Sequence, residues 1–464
     1  MIESLLASLE ARARDEVLVG LDASGRSAWH KSGEDLLLEA GGFGAHLAQL
    51  GVRAGDRVGI DVTRGPSLLA AHLGVLALGA CAVPINPALS ATERARMLAR
   101  ADLRALLAAD DPLPERASPK LAQPPSGAPS LLIFTSGTTG EPKGVPLSLG
   151  NLASNLADLA EVWQLGAQDR LLHVLPAHHV HGLVLALYGS VRARMTVVLA
   201  PRFEPDACLA ALASQRITVL MGVPTMYHRL ARLESAPALP DMRLCISGSA
   251  PLAPEDFALF AARFGQVPLE RYGLSETLIV SSNPLRGERR PGAVGHALPH
   301  AEVRLAEDGE IEVRGPSVMA GYWRDEKTSA EVFRDGFFRT GDLGRRDEAG
   351  YLCIAGRKKE LIIVGGSNVL PGEVELALAG DPEVDELAAA GIPDRERGEV
   401  VAAFVVAARG AEPAAIESRL RARAERELAA YKRPRLYCFV AALPRSVMGK
   451  VDRRALTALG KEPH

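Results

Sequence analysis

Residues 132–148, LIFTSGTTGEPKGVPLS, gather hydroxyls, glycines and a lysine in one run whose natural chemistry is anion binding. Within it, Thr135, Ser136, Gly137, Thr138, Thr139 and Gly140 form a turn sequence, and glycine there admits positive φ and close approach to a ligand. Successive backbone N–H groups and hydroxyl donors in such a turn wrap an anion, and Lys143 adds a point charge suited to a polyphosphate. The spacing of Gly137, Gly140 and Lys143 does not fit the G-x-x-x-x-G-K-[ST] phosphate loop. Further on, ERYGLSET (270–277) supplies an arginine, a tyrosine, a hydroxyl and carboxylates, and LPRSVMGKVDRR (443–454) a lysine on a loop-like stretch.

These residues need elements to carry them. The apolar residues 131–134 read as a short buried strand feeding the hydroxyl-rich turn. Ahead of it, residues 34–50 and 68–78 read as helices and 57–62 and 83–85 as strands, an alternation that implies parallel strands covered by helices. After residue 152 the alternation resumes, with strands expected at 171–175, 196–199, 219–223 and 243–247. Beyond residue 284 the pattern changes: EVRLAEDGEIEVR (302–314) alternates around Asp308-Gly309, a hairpin signal, and 341–354 looks similar. A third composition follows residue 357, with strands expected at 361–364 and 400–406 and helices after Gly372 and over 414–430.

At 464 residues the chain exceeds what one core organises, so two or more domains are expected. With 47% hydrophobic and 23% charged residues and a net charge of −3 of mixed sign, it reads as a globular protein with no electrostatic case for nucleic acid or a membrane surface. Five scattered cysteines without metal spacing read as free thiols of a reducing compartment. The N-terminus, MIESLLASLEARARDE, lacks the apolar core of a secretory signal, and a cytoplasmic protein is expected. The apolar run 67–85 is interrupted by His72, Gly74, Gly79 and Pro84, and reads as a buried helix breaking into a buried strand.

The string from Thr135 to Gly144 closely resembles the phosphate-binding signature of the adenylate-forming superfamily, which includes acyl-CoA synthetases. Further segments resemble that superfamily in the same order along nearly the whole chain. The resemblance implies an α/β fold: a large N-terminal domain of α/β subdomains plus a small antiparallel β subdomain (1–356), then a mobile α+β C-terminal domain (357–464) with its hinge near Lys359. It also implies an AMP-forming acid–thiol ligase using ATP, Mg²⁺ and coenzyme A. On this resemblance Tyr272 stacks on adenine, Ser275 meets the phosphates, where relatives usually carry Thr, and Glu276 holds Mg²⁺. A carboxylate is the expected ligand for that hard cation. SGSAPL (247–252), with Ser249, resembles the loop lining the adenine and acyl pocket; Asp342 resembles the acceptor of both ribose hydroxyls, and Arg357 completes the ribose and phosphate contacts.

Lys450 matches the lysine that serves the first half-reaction. A carboxylate attacking the α-phosphorus brings two anions together, and an ammonium between them offsets the repulsion most strongly in the transition state. Lys359 lies at the pivot, and rotation there presents the loop carrying Gly365 and Gly366 to coenzyme A; relatives often carry an aromatic residue where this chain has Ser367.

The acid is suggested by Arg271, at a position that lines the acyl pocket in the superfamily and is often glycine. A buried, unpaired guanidinium there demands an anionic partner, so the substrate is expected to carry a second carboxylate. Arg290 in GERRPGAVG (287–295) is a second candidate for that clamp, and His179 and His181 in LPAHHVHGL (175–183) resemble the segment closing the pocket. These segments, with GVPTMYHRL (222–230), resemble malonyl-CoA and methylmalonyl-CoA synthetases, although Ala177-His178 replaces the usual Leu-Phe pair. The alternative for Arg271 is an ion pair with Glu270 or another carboxylate. Alternatives for function are a ligase for another short or medium-chain acid, or adenylation for a carrier protein, which the absence of an appended carrier domain disfavours.

Overall fold

The computed structural model describes residues 1–61, 64–108, 111, 114–136, 142–445 and 451–460. The fold is α/β, and the chain divides into two compact units, Met1–Arg304 with Glu312–Arg339, and Leu305–Ile311 with Thr340–His464.

Among the described residues two sheets lie wholly in the first unit. In one, Ala105–Ala108, Arg57–Asp61, Cys81–Pro84 and Leu131–Ser136 run parallel in that order, and Pro142–Leu147 closes the edge antiparallel to Leu131–Ser136. The apolar run expected to be buried is so: every residue of helix Leu68–Ala77 and of strand Cys81–Pro84 is buried. No described helix is long and apolar enough to cross a membrane.

The other sheet is nine-stranded. Its centre is parallel, with Thr196–Leu199, Arg170–His173, Val219–Gly222, Leu244–Ser247 and Leu269–Leu274 side by side. Four-residue strands buried at every position suit a sheet covered on both faces. Leu278–Ser282 then folds back antiparallel on Leu269–Leu274. An N-terminal hairpin, Glu16–Leu21 with Ser27–Ser32, lies at the far edge, where the sequence reading had no element.

The hairpin expected at 302–314 forms, with Gly309 at φ +80 in its turn and Gly309 N–H donating to Ala306 C=O at 2.9 Å. Strands Phe337–Arg346 and Leu352–Arg357 pair antiparallel and set Asp342 opposite Arg357. The two units part at Arg339/Thr340, within the strand Phe337–Arg346, and Leu305–Ile311 joins the second. Next comes an α+β sheet: Ser367–Val369, Ile362–Val364, Gly398–Ala407 and Val384–Asp394 in order, with Leu436–Phe439 parallel to Gly398–Ala407. Helices Pro371–Leu378 and Pro413–Glu427 cover it through Val374, Leu378, Ile416 and Leu420 against Val401, Ala403 and Val405. All five cysteines are free and buried.

Candidate active site

Strands Leu131–Ser136 and Pro142–Leu147 pair antiparallel on either side of the hydroxyl-rich segment. Thr135 stands opposite Lys143 and Ser136 opposite Pro142. Gly137, Thr138, Thr139 and Gly140 lie outside the described residues. Lys143 Nζ sits 5.1 Å from the centre of the Tyr322 ring, and the Tyr322 hydroxyl donates to Glu276 Oε1 at 2.9 Å. Residue 322 is brought there because Trp323 N–H bonds Gly144 C=O at 2.8 Å and Met319 N–H bonds Glu276 C=O at 2.8 Å. Lys143 and Glu276 are thus joined through one tyrosine that the sequence does not single out. No spacing along the chain connects residue 322 with 143 or 276.

Ser275 and Glu276 occupy the tight turn between Leu269–Leu274 and Leu278–Ser282. Thr277 Oγ1 closes it by accepting Leu274 N–H at 3.1 Å, and Leu278 takes φ +54. One carboxylate at such a turn fits a Mg²⁺ ion otherwise bound by phosphate oxygens and water. Among the described residues no group of three His, Cys, Asp or Glu side chains forms a separate metal site. Ser249, a non-glycine residue at φ +76, lies in the loop after Leu244–Ser247. Tyr272 is buried in Leu269–Leu274, opposite Ser281.

Strand alternation sends the side chains of Glu270 and Arg271 to opposite faces. Glu270 accepts from Leu252 N–H at 3.1 Å and Gly292 N–H at 3.0 Å, and burial pushes its carboxyl up to about 7. Arg271 is 6% exposed, burial pushes its guanidinium down to about 10, and its Nε and Nη2 have no hydrogen-bond partner. The alternative pairing of Arg271 with Glu270 is therefore not the one adopted. His181, 7% exposed, shares this environment: neither ring nitrogen has a partner, and burial, then the charge of Arg271, hold its pKa well below the ordinary value. Tyr227 lies on the same cluster, its hydroxyl donating to Ile246 C=O at 2.8 Å.

His181 opens a π-helical stretch, His181–Tyr188, a conformation frequent at functional sites. Gly182 is needed because a Cβ there would strike the Pro176 carbonyl. The Gly182 carbonyl is held by His173 Nε2 at 2.9 Å, while Arg64 donates to His173 Nδ1 at 2.6 Å and to the carbonyls of His173, Leu175 and Ala200. An arginine can only donate, so His173 carries its proton on Nε2. His179 packs edge-on against His178 with ring centres 4.2 Å apart. Arg290 pairs with Glu288 at 2.8 Å.

In the second unit, Arg357 Nε meets Asp342 Oδ1 at 2.6 Å, and Asp342 is buried. Lys359 follows in a single 3₁₀ turn, its pKa lowered by burial and by neighbouring Arg357. Gly365 and Gly366, at φ +56 and +83, make the two-residue turn joining Ile362–Val364 to Ser367–Val369, a conformation that demands glycine-like residues. Lys450 lies outside the described residues.

This is the architecture of an adenylate-forming enzyme. Residues 11–323 match the family described as AMP-binding enzyme, and 373–450 match the AMP-binding enzyme C-terminal domain. The chain belongs to this family as an AMP-forming acyl-CoA ligase. A sulfoacetate–CoA ligase of Cupriavidus necator is 36% identical, matched over 91% of each chain. A malonate–CoA ligase of Arabidopsis thaliana is 37% identical over 71% of this chain and 60% of its own length. The crystal structure of ATP-bound MatB from Rhodopseudomonas palustris superposes with a TM-score of 0.88 at 34% identity, covering 100% of this chain and 99% of that one.

Proposed function

We propose that this ligase adenylates malonate or methylmalonate with ATP and transfers the acyl group to coenzyme A, releasing AMP and pyrophosphate. The observation that carries the choice of acid is the buried Arg271 guanidinium, with Nε and Nη2 unpartnered, beside an equally unpartnered His181. Such a charge is costly to hold alone, and an anion on the distal end of the acid relieves it. An acid without a second anionic group has nothing to offer. The names of two relatives, for malonate and for sulfoacetate, fit the same requirement, since each acid carries a second anion one carbon from its carboxylate. Sulfoacetate is therefore the second reading. In this reading Arg271 takes the distal anion, with His179 and His181 closing the pocket and Arg290 available once it leaves Glu288.

The remaining roles follow the same proposal. Residues 135–140 and Lys143 receive the phosphates, Ser249 and Tyr272 the adenine, Asp342 and Arg357 the ribose, and Ser275 the phosphates beside the metal. Mg²⁺ on Glu276 would neutralise phosphate charge. Lys450 would bridge the attacking carboxylate and the α-phosphate, and its loss should cost roughly 3–4 kcal/mol of barrier. Residues 357–464 would pivot about Lys359 between half-reactions and offer the Gly365-Gly366 turn to coenzyme A. A cytoplasmic enzyme acting on free coenzyme A, rather than on a carrier protein, completes the reading.

The test is acid-dependent AMP formation with ATP, Mg²⁺ and coenzyme A. Malonate, methylmalonate and sulfoacetate should exceed butyrate by several orders of magnitude. Butyrate turned over as well as malonate discards the arginine argument and leaves a ligase for another acid. A requirement for a carrier protein in place of coenzyme A points to the other alternative. Lys450→Ala should bind ATP normally and lose adenylation, and unchanged activity removes that residue from the mechanism.

A further inference from the structure

Glu310 is 3% exposed, and its carboxylate joins the chain neighbours of the two residues read as ribose ligands. Its Oε1 accepts the Gly341 N–H at 3.0 Å, and its Oε2 accepts from Lys358 Nζ at 3.1 Å. Gly341 immediately precedes Asp342, and Lys358 immediately follows Arg357. A second contact from the same strand steadies the turn. The Thr340 hydroxyl donates to Ile311 C=O at 2.7 Å, and its oxygen accepts the Asp342 N–H at 3.1 Å. Gly341 itself sits at φ +71, which glycine adopts as readily as negative φ, so the direction of the backbone entering Asp342 is set by these contacts. Lys358 also reaches Asp308 in the adjoining turn, and every residue in this network belongs to one compact unit.

We infer that Glu310 is a positioning residue for the nucleotide: by holding Gly341 and Lys358 together, it fixes the Asp342–Arg357 pair to receive the ribose hydroxyls. The inference rests on the reading of Asp342 and Arg357 as ribose ligands. Its physical basis is preorganisation. A carboxylate that must accept two hydroxyls gains most from them when it is already aimed, because reorientation is then not charged against binding. Arg357 fixes one oxygen of Asp342, while Glu310 holds the Gly341 main chain on one side of that ion pair and the Lys358 ammonium on the other.

The experiment compares AMP formation from ATP and from 2′,3′-dideoxy-ATP at saturating acid in wild type, Asp342→Asn, Glu310→Ala and Glu310→Gln. Wild type should prefer ATP by about tenfold to a hundredfold in kcat/KM, the scale of hydrogen bonds to a charged acceptor. Glu310→Ala should lose most of that preference through a raised KM for ATP, with the dideoxy analogue little affected. Glu310→Gln keeps an acceptor for Gly341 N–H and should retain most of it, which also guards against a misfolded alanine variant. A role confined to folding would weaken both nucleotides alike and leave the ratio unchanged, and that result overturns the inference. Loss of preference in Asp342→Asn but in neither Glu310 variant overturns it while sparing the ribose reading. No preference in wild type overturns both.

Discussion

The guanidinium of Arg271 packs directly on the backbone of Gly248, where a Cβ would stand 2.5 Å from Arg271 Nε and 2.8 Å from Nη1. Residue 248 is glycine for space, since its φ is not in the left-handed region. Gly248→Ala should therefore push the guanidinium aside without disturbing the strands. The expected result is a KM for malonate raised at least about tenfold with the KM for ATP unchanged, a loss of one charge-assisted contact. Steady-state kinetics against each substrate decide it, and an unchanged malonate KM would show that Arg271 does not address the acid.

Arg271→Met makes a stronger statement, because function and stability should move in opposite directions. Burial lowers the guanidinium from its ordinary 12.5 to about 10, so the folded empty enzyme bears a charge at a cost of roughly 3 kcal/mol. Methionine of similar reach removes that charge. Malonate turnover should fall by orders of magnitude, while the urea midpoint rises above wild type. A midpoint below wild type means that the guanidinium is satisfied in the empty protein, and the case for an anionic acid weakens with it.

The parallel strands were legible because short runs such as Val219–Gly222 are apolar throughout and bounded by turn residues. The strand Val384–Asp394 was not, since VDELAAAGIPD carries three alanines and acids with no clear alternation, and only its long pairing with Gly398–Ala407 makes it a strand. The site divides in the same way. Arg271 stood out only through the family resemblance, as an arginine at a pocket-lining position that is often glycine, whereas Tyr322, Gly248 and Glu310 act through chain segments far away in sequence. His181 was visible only as part of its segment; burial without a ring partner distinguishes it from His179, and burial is a property of the fold. For the same reason Glu270, adjacent in sequence, was a natural partner for Arg271 until strand alternation separated the two side chains.

Tyr322 tests whether Glu276 serves the metal. Its hydroxyl fixes one carboxylate oxygen, and its ring faces Lys143. Tyr322→Phe keeps the ring and removes the hydrogen bond. Outer-sphere partners of this kind are worth about tenfold to a hundredfold in metal affinity. The Mg²⁺ concentration giving half-maximal ATP–pyrophosphate exchange should rise accordingly, with little change at saturating Mg²⁺. An identical Mg²⁺ dependence would separate Glu276 from the metal or Tyr322 from Glu276.

Acid should unfold the protein through its buried histidines. Burial pushes His72 and His173 down to about 3 and His178 to about 4, and holds His181 well below its ordinary value. With folded pKa values below the unfolded 6.5, the unfolded chain binds more protons between them. The stability these neutral rings contribute is full above pH 6.5 and is lost as pH falls towards 4. Glu270, raised to about 7, Glu375, also raised by burial, and His300, raised by Asp158, act in the opposite sense, each favouring the folded state below its unfolded pKa and losing that contribution as pH rises. The four histidines outnumber them, so the unfolding free energy should fall between pH 6.5 and 5. His72 isolates one contributor, since its Nδ1 shares a hydrogen bond with the Tyr188 hydroxyl at 2.9 Å. His72→Gln keeps a hydrogen-bonding partner for Tyr188 that does not titrate. Urea titrations across this range should give a slope shallower by about 1.4 kcal/mol per pH unit, one proton's worth. A slope equal to wild type would mean that His72 already carries its proton in the folded state or never takes one up on unfolding.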